Sequence, residues 1–148
     1  MNWTTLLRFR KQVEDLAREE VVLAEWEKSQ EVTKRYDLGQ EMQKVVGDLE
    51  EQIQGGIDIM IAEERYRWLD QLGTAMEERT QLITRLEKTL IELRQKLKKA
   101  YHARRVVELV IAKKEAEVLR KVEAQEQRIQ EDMSSHAFVT CNLEEMTH

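Results

Sequence analysis

An all-α fold, two long helices forming an antiparallel coiled-coil hairpin, is predicted by three features of the sequence. No proline occurs in 148 residues, so no ring clashes with a preceding turn or removes a backbone donor. Apolar residues recur at alternating steps of three and four, which line one narrow helix stripe and form the seam of a coiled coil. A single adjacent glycine pair, Gly55 and Gly56, interrupts residues that otherwise favour helix and marks a turn of the chain. Aromatic residues make up 5% against 36% charged, leaving few of the large rings that fill a globular core. Both values argue against a compact enzyme.

The first arm, expected over about residues 3–54, carries Leu6, Phe9, Val13, Leu16 and Leu23 in one phase. Val32, Met42, Val46, Leu49 and Ile53 follow in another, with the phase lost around Trp26. The bend is expected near residues 54–64, where Ile57, Ile59, Met60 and Ile61 are too apolar for a solvated loop and suggest a further short helical piece. The second arm, over about 62–133, is the more regular. Leu69, Leu72, Met76, Ile83, Leu86, Leu90, Leu93, Leu97, Ala100, Val107, Ile111 and Val118 keep to one stripe, interrupted only by Arg79, Arg104 and Lys114. Past Ile111 the better register runs through Glu115, Val118, Val122 and Ile129, a stutter that locally unwinds a supercoil. The hairpin is therefore assigned to residues 1–133. Residues 134–148 lose the charge pattern and the periodicity and are expected to form a flexible tail.

Charge supports folding back. Residues 94–121 hold ten Lys/Arg and three Asp/Glu, whereas residues 1–60 hold eight Lys/Arg and thirteen Asp/Glu. With the numbers of facing residues summing to about 118, Lys98, Lys99, Arg104 and Arg105 fall opposite Glu14, Asp15, Glu19 and Glu20. The last fifteen or so helical residues then overhang the N-terminus. Exposed pairs of this kind contribute about 0 to 1 kcal/mol each, so they select an arrangement more than they stabilise it.

The net charge of -5 and pI near 5.4 argue against a general nucleic-acid or anionic-membrane binder. No apolar leader or membrane span is evident, and the single cysteine, Cys141, fits a reducing compartment, so a soluble cytoplasmic protein is expected. No metal pair is expected, because His102 is the one histidine of the helical region and His136 and His148 lie in the tail. Carboxylates such as Glu19-Glu20, Glu50-Glu51 and Glu77-Glu78 read as solvated faces, and Gly55-Gly56 lacks the Lys-Ser/Thr of a phosphate loop. Neither a catalytic residue nor a cofactor is expected. The basic stretch Arg94 to Lys121 contains one aromatic, Tyr101. It reads as seam pairing plus solvated charge, as a nucleic-acid or membrane face, or as a rod docking in an acidic protein cavity. Trp26, Tyr36, Tyr66 and Trp68 can pack on the seam or flank it. Trp68, one residue before Leu69, partly faces water near the bend and is a candidate anchor for a partner.

Three runs carry a family resemblance. They are the opening Phe9 to Leu16, the run Arg65-Tyr66-Arg67-Trp68-Leu69 with Leu72, and the run Glu126-Gln127-Arg128-Ile129-Gln130-Glu131-Asp132. With the two arms and the bend, they resemble the flagellar export FliJ family over residues 3–133, with the type III secretion stalk proteins as neighbours. The final acidic pair is reversed relative to the family signature. The resemblance implies a non-enzymatic central stalk of the export apparatus, peripheral to the membrane only through partners. Its paired termini would enter the pore of the hexameric export ATPase, and a surface nearer the bend would meet the cytoplasmic domain of the export gate. Export chaperones are further implied partners. Matching Trp68-Leu69-x-x-Leu72 to the family carries the gate surface onto Met42, Val45, Leu49, Trp68, Leu72, Ala75 and Arg79. At the open end, Arg104, Arg105, Lys113, Lys114, Arg120 and Lys121 are the candidates for the ATPase ring. The rival readings are a generic dimerising scaffold and a basic helical binder of nucleic acid or membrane.

Overall fold

The computed structural model describes residues 2–147. The chain is all-α, a helical hairpin of α1 (Trp3–Gln54) and α2 (Ile59–Thr147). Asn2 opens α1 by accepting the Thr5 N–H on its Oδ1 at 3.2 Å.

The turn is built by two local devices. At the end of α1 the Ile57 N–H donates to Gln52 O at 3.0 Å and the Gly56 N–H to Ile53 O at 3.3 Å. This pair of bonds is a Schellman motif, with Gly56 in the left-handed position at φ 83°. Asp58 then caps α2, its Oδ1 accepting the Met60 N–H at 3.1 Å. Only residues 55–58 leave the helix, so Ile59, Met60 and Ile61 form the first turn of α2 and not a separate piece. The two glycines are not equivalent. A Cβ on Gly55 would meet Glu51 O at 3.6 Å and Gln52 O at 3.7 Å, ordinary contacts, whereas Gly56 holds a φ that L-residues resist. Gly56→Ala is expected to destabilise by about 1 to 2 kcal/mol, and Gly55→Ala to be neutral or to stabilise by up to about 1 kcal/mol. Urea unfolding of the two variants checks the contrast.

In the unit of residues 10–101, the face of α1 turned to α2 differs from the expected seam. Glu14, Ala17, Val21, Ala24 and Leu49 are buried, and Lys28, Glu31, Leu38, Met42 and Val45 are half-buried. These positions continue one three-four stripe without a break, so no phase is lost at Trp26. Leu16, Leu23 and Trp26 point to solvent at 57 to 60% exposure. Size complementarity explains the choice. The α2 stripe supplies large side chains, Leu90, Leu93 and Leu97, and α1 offers small ones, Val21 and Ala24, between which they seat. Leu72, Leu90 and Ala100 are buried on α2, with Leu69, Met76, Ile83, Leu86, Leu93 and Leu97 half-buried, as the sequence predicts.

Charge across the seam follows the antiparallel match in a slightly shorter register. Lys96 meets Glu20 at 3.0 Å, Arg94 meets Glu25 at 3.2 Å, Lys28 meets Glu87 at 3.5 Å and Arg79 meets Glu31 at 2.8 Å. Glu20 therefore faces Lys96 where Lys98 was expected. Nearer the turn, a Cβ on Gly39 would lie 3.6 Å from Met76 Cε, and one on Gly73 4.0 Å from Met42 Cε. Each glycine makes room for the methionine of the opposite helix.

In the unit of residues 1–9 and 102–148, Val107 is buried and Leu6, Leu7, Val110 and Ile111 are half-buried. The Lys114 ammonium lies 5.2 Å from the centroid of the Trp3 ring, a cation–π distance. From Ala112 to Met146 every residue is exposed, so the stretch in which the stutter was expected has no seam to interrupt. The helix also continues through residues 134–147, where the sequence was read as leaving it. No glycine or proline ends it, and Val139, Leu143 and Met146 resume the three-four spacing behind the polar His136 and Thr140.

Candidate protein-docking surfaces

The residues assigned to a gate surface have unequal environments. Leu49 and Leu72 are 4% and 3% exposed and belong to the seam. Met42, Val45 and Ala75 are half-buried beside them. Arg79 Nη1 donates to Glu31 Oε2, so its charge is already partnered. Trp68 alone of the seven is exposed, at 39%, beside a shallow depression lined by Ile61, Glu64, Arg65, Arg67 and Gln71. A second, more apolar groove is lined by Val32, Arg35, Tyr36, Gly39, Gln40, Gln43, Met76 and Ile83. The sequence reading missed it. Its signal was Gly39, whose absent side chain lowers the groove floor to Met76, with the Tyr36 ring exposed at its edge.

The basic candidates also divide. Arg104 and Arg105 both donate to Glu108, at 2.6 and 3.1 Å. Lys114 sits over Trp3. Lys113, Arg120 and Lys121 make no ion pair among the described residues and are exposed, Arg120 and Lys121 beside Glu117 and Ala124. The free positive charge of this unit is therefore carried by Lys113, Arg120 and Lys121, with Lys114 beside them.

Two carboxyls titrate below their ordinary range. The Arg79 guanidinium, hydrogen-bonded to Glu31, lowers that carboxyl, with Lys34 assisting against partial desolvation. Arg104 does the same for Glu108, with Arg105 second. A carboxyl depressed in the folded chain contributes stability above its unfolded pKa of about 4.3, lost as pH falls through the lower folded value. Glu31→Gln should therefore be less stable than the parent at neutral pH, with the difference vanishing below about pH 4. Urea midpoints measured across that range test the sign.

Among the described residues no group of three or more His, Cys, Asp and Glu could hold a metal ion. No described helix is long and apolar enough to cross a membrane. What the molecule offers is surface: an exposed tryptophan near a turn, an apolar groove, and a basic stretch of unpartnered helix.

Comparison with known families decides between the readings of such a surface. A family described as "Flagellar FliJ protein" matches residues 3–141. The chain belongs to the flagellar FliJ family. The match opens at the first residue of α1 and runs past residue 133 into the segment expected to be a tail. No curated protein and no solved structure matches the chain. FliJ membership places the chain in flagellar type III protein export, as a non-enzymatic component associated with that apparatus.

Proposed function

We propose that this FliJ-family chain is the central stalk of the flagellar export machine. The unit of residues 1–9 and 102–148 engages the hexameric export ATPase, and the surface around Trp68 engages the cytoplasmic domain of the export gate. The observation that carries this reading is the family match over residues 3–141, joined to a long basic stretch of α2 that has no partner in its own chain. A shaft entering a ring needs exposed helix of this kind and no pocket of its own. The protein acts in the cytoplasm at the base of the flagellum and reaches the membrane only through its partners. Export chaperones are further partners of the same apparatus. Residues 134–148 are proposed to be a flexible segment dispensable for ring engagement, since a helix exposed all round is held only by its own marginal propensity. The direct test is a pull-down with the purified ATPase hexamer, in which the full chain should be retained.

For the gate, Trp68→Ala is the cleanest probe among the seven candidates. Truncating Leu49 or Leu72 opens a cavity in the seam, which costs about 2 to 5 kcal/mol whether or not a partner binds there. Trp68 is outside the core, so its loss should leave helicity and the unfolding midpoint unchanged. An interface tryptophan at a hot spot contributes about 2 kcal/mol or more, a roughly thirtyfold loss of gate affinity on truncation. Titration calorimetry with the isolated gate domain should show that loss; unchanged affinity removes Trp68 as an anchor.

A further inference from the structure

The exposed part of α2 carries a stripe that its own chain does not cover. Val118, Val122, Ile129, Val139, Leu143 and Met146 are 43 to 84% exposed. They fall on consecutive three-four positions, with Gln125, Asp132 and His136 filling the remaining ones. The stripe spans four heptads, about 42 Å of helix at 1.5 Å per residue. Leu119 and Met133, exposed at 58% and 68%, flank it one position along and widen the apolar face. A seam of this length and regularity is built to meet another helix.

Pattern and charge select the occupant. When the stripe is laid antiparallel on a copy of itself, with facing numbers summing to about 268, every stripe residue meets a stripe residue. Ile129 faces Val139, Val122 faces Met146, and Gln125 faces Leu143. The two ionisable members, Asp132 and His136, face each other. A two-fold axis repeats each contact, as an isologous interface requires. The flanking position at Arg128 comes beside Asn142, not beside a like charge. The parallel, in-register alternative stacks Asp132 on Asp132 and His136 on His136, and like charges brought together at a seam are unfavourable.

We infer that two copies of this chain associate through residues 118–146 of α2, as a short antiparallel coiled coil with Asp132 of each copy against His136 of the other. The interface goes beyond the stalk assignment and does not depend on it. It covers apolar surface that each chain otherwise presents to water, and it leaves Lys113 and Lys114 outside the paired segment.

Sedimentation equilibrium of the full chain should show a monomer–dimer equilibrium. Ile129→Asp, at an exposed position that leaves the hairpin core untouched, should weaken dimerisation about tenfold or more. Deleting residues 134–148 should abolish it. The register is read by cross-linking in a Cys141→Ser background. Ile129→Cys with Val139→Cys should give disulfide-linked dimers under mild oxidation, and Ile129→Cys alone should give none. A full chain that stays monomeric at every concentration overturns the proposal, as do efficient cross-links from Ile129→Cys alone or dimerisation unaffected by Ile129→Asp. Measuring ATPase stimulation on the same variants separates the two readings, since loss of the dimer with stimulation intact bears only on this interface.

Discussion

Replacing Lys113, Lys114, Arg120 and Lys121 together by glutamate is expected to abolish stimulation of the export ATPase while preserving helicity. These four are the charges of the exposed α2 stretch that its own ion pairs leave available. Arg104 and Arg105 are left out because Glu108 holds both. Each exposed contact contributes about 0 to 1 kcal/mol, so one reversal changes little. Four reversals move the local charge by eight units, turning a surface that steers toward an acidic lining into one repelled by it. The Lys113 and Lys114 changes also remove the cation over Trp3, worth about 0.5 to 1 kcal/mol at an exposed site, which the hairpin tolerates. Steady-state ATP hydrolysis across a range of salt checks the prediction. Deletion of residues 134–148 in the same assay should leave stimulation intact. If the quadruple variant stimulates like the parent at every salt concentration, the basic stretch is a solvated face.

Leu90→Ala is expected to cost about 2 to 5 kcal/mol. Leu90 is 2% exposed and packs on Val21, Ala24, Leu93 and Leu97 at the centre of the hairpin unit. Alanine there leaves a cavity walled by side chains already small on the α1 side, so the neighbours have little with which to fill it. Domains of this size are stable by about 5 to 15 kcal/mol, and the loss would take a large part of that. Leu16→Ala and Leu23→Ala should each stay within about 0.5 kcal/mol, because both side chains are exposed. The contrast also tests the register. If the α1 stripe through Phe9, Leu16 and Leu23 were the seam, those two truncations would be the costly ones.

That contrast marks where the sequence was legible. On α2 the seam residues are leucine, isoleucine and methionine at nearly every position, and hydrophobic spacing alone located the stripe through Ile111. On α1 the buried stripe is Glu14, Ala17, Val21, Ala24, Lys28 and Glu31, too polar and too small to stand out beside Leu16, Leu23 and Trp26. What selects it is the partner helix. The long leucines of α2 need small residues opposite, and Arg79 and Glu87 accommodate Glu31 and Lys28. No single-helix pattern contains that information.

The turn was legible as a location but not as a mechanism. The glycine pair marked it, yet the positive φ falls only on Gly56 and the start of α2 depends on Asp58. The end of α2 was misjudged because residues 134–138 interrupt the charge pattern before Val139 resumes the stripe. Among the candidate surface residues, spacing placed Trp68 at the margin of the seam and the structure exposes it. The commitments of Arg79, Arg104 and Arg105 to carboxylates depend on rotamers and helix pairing, which composition does not encode.

The central claim is that one chain serves as the axial stalk of one ATPase hexamer. It is tested most directly by titrating the full chain into the purified hexameric export ATPase and following ATP hydrolysis. Stimulation that saturates at one chain per six ATPase subunits is the result the stalk requires. No stimulation, or saturation at one chain per ATPase subunit, would contradict it.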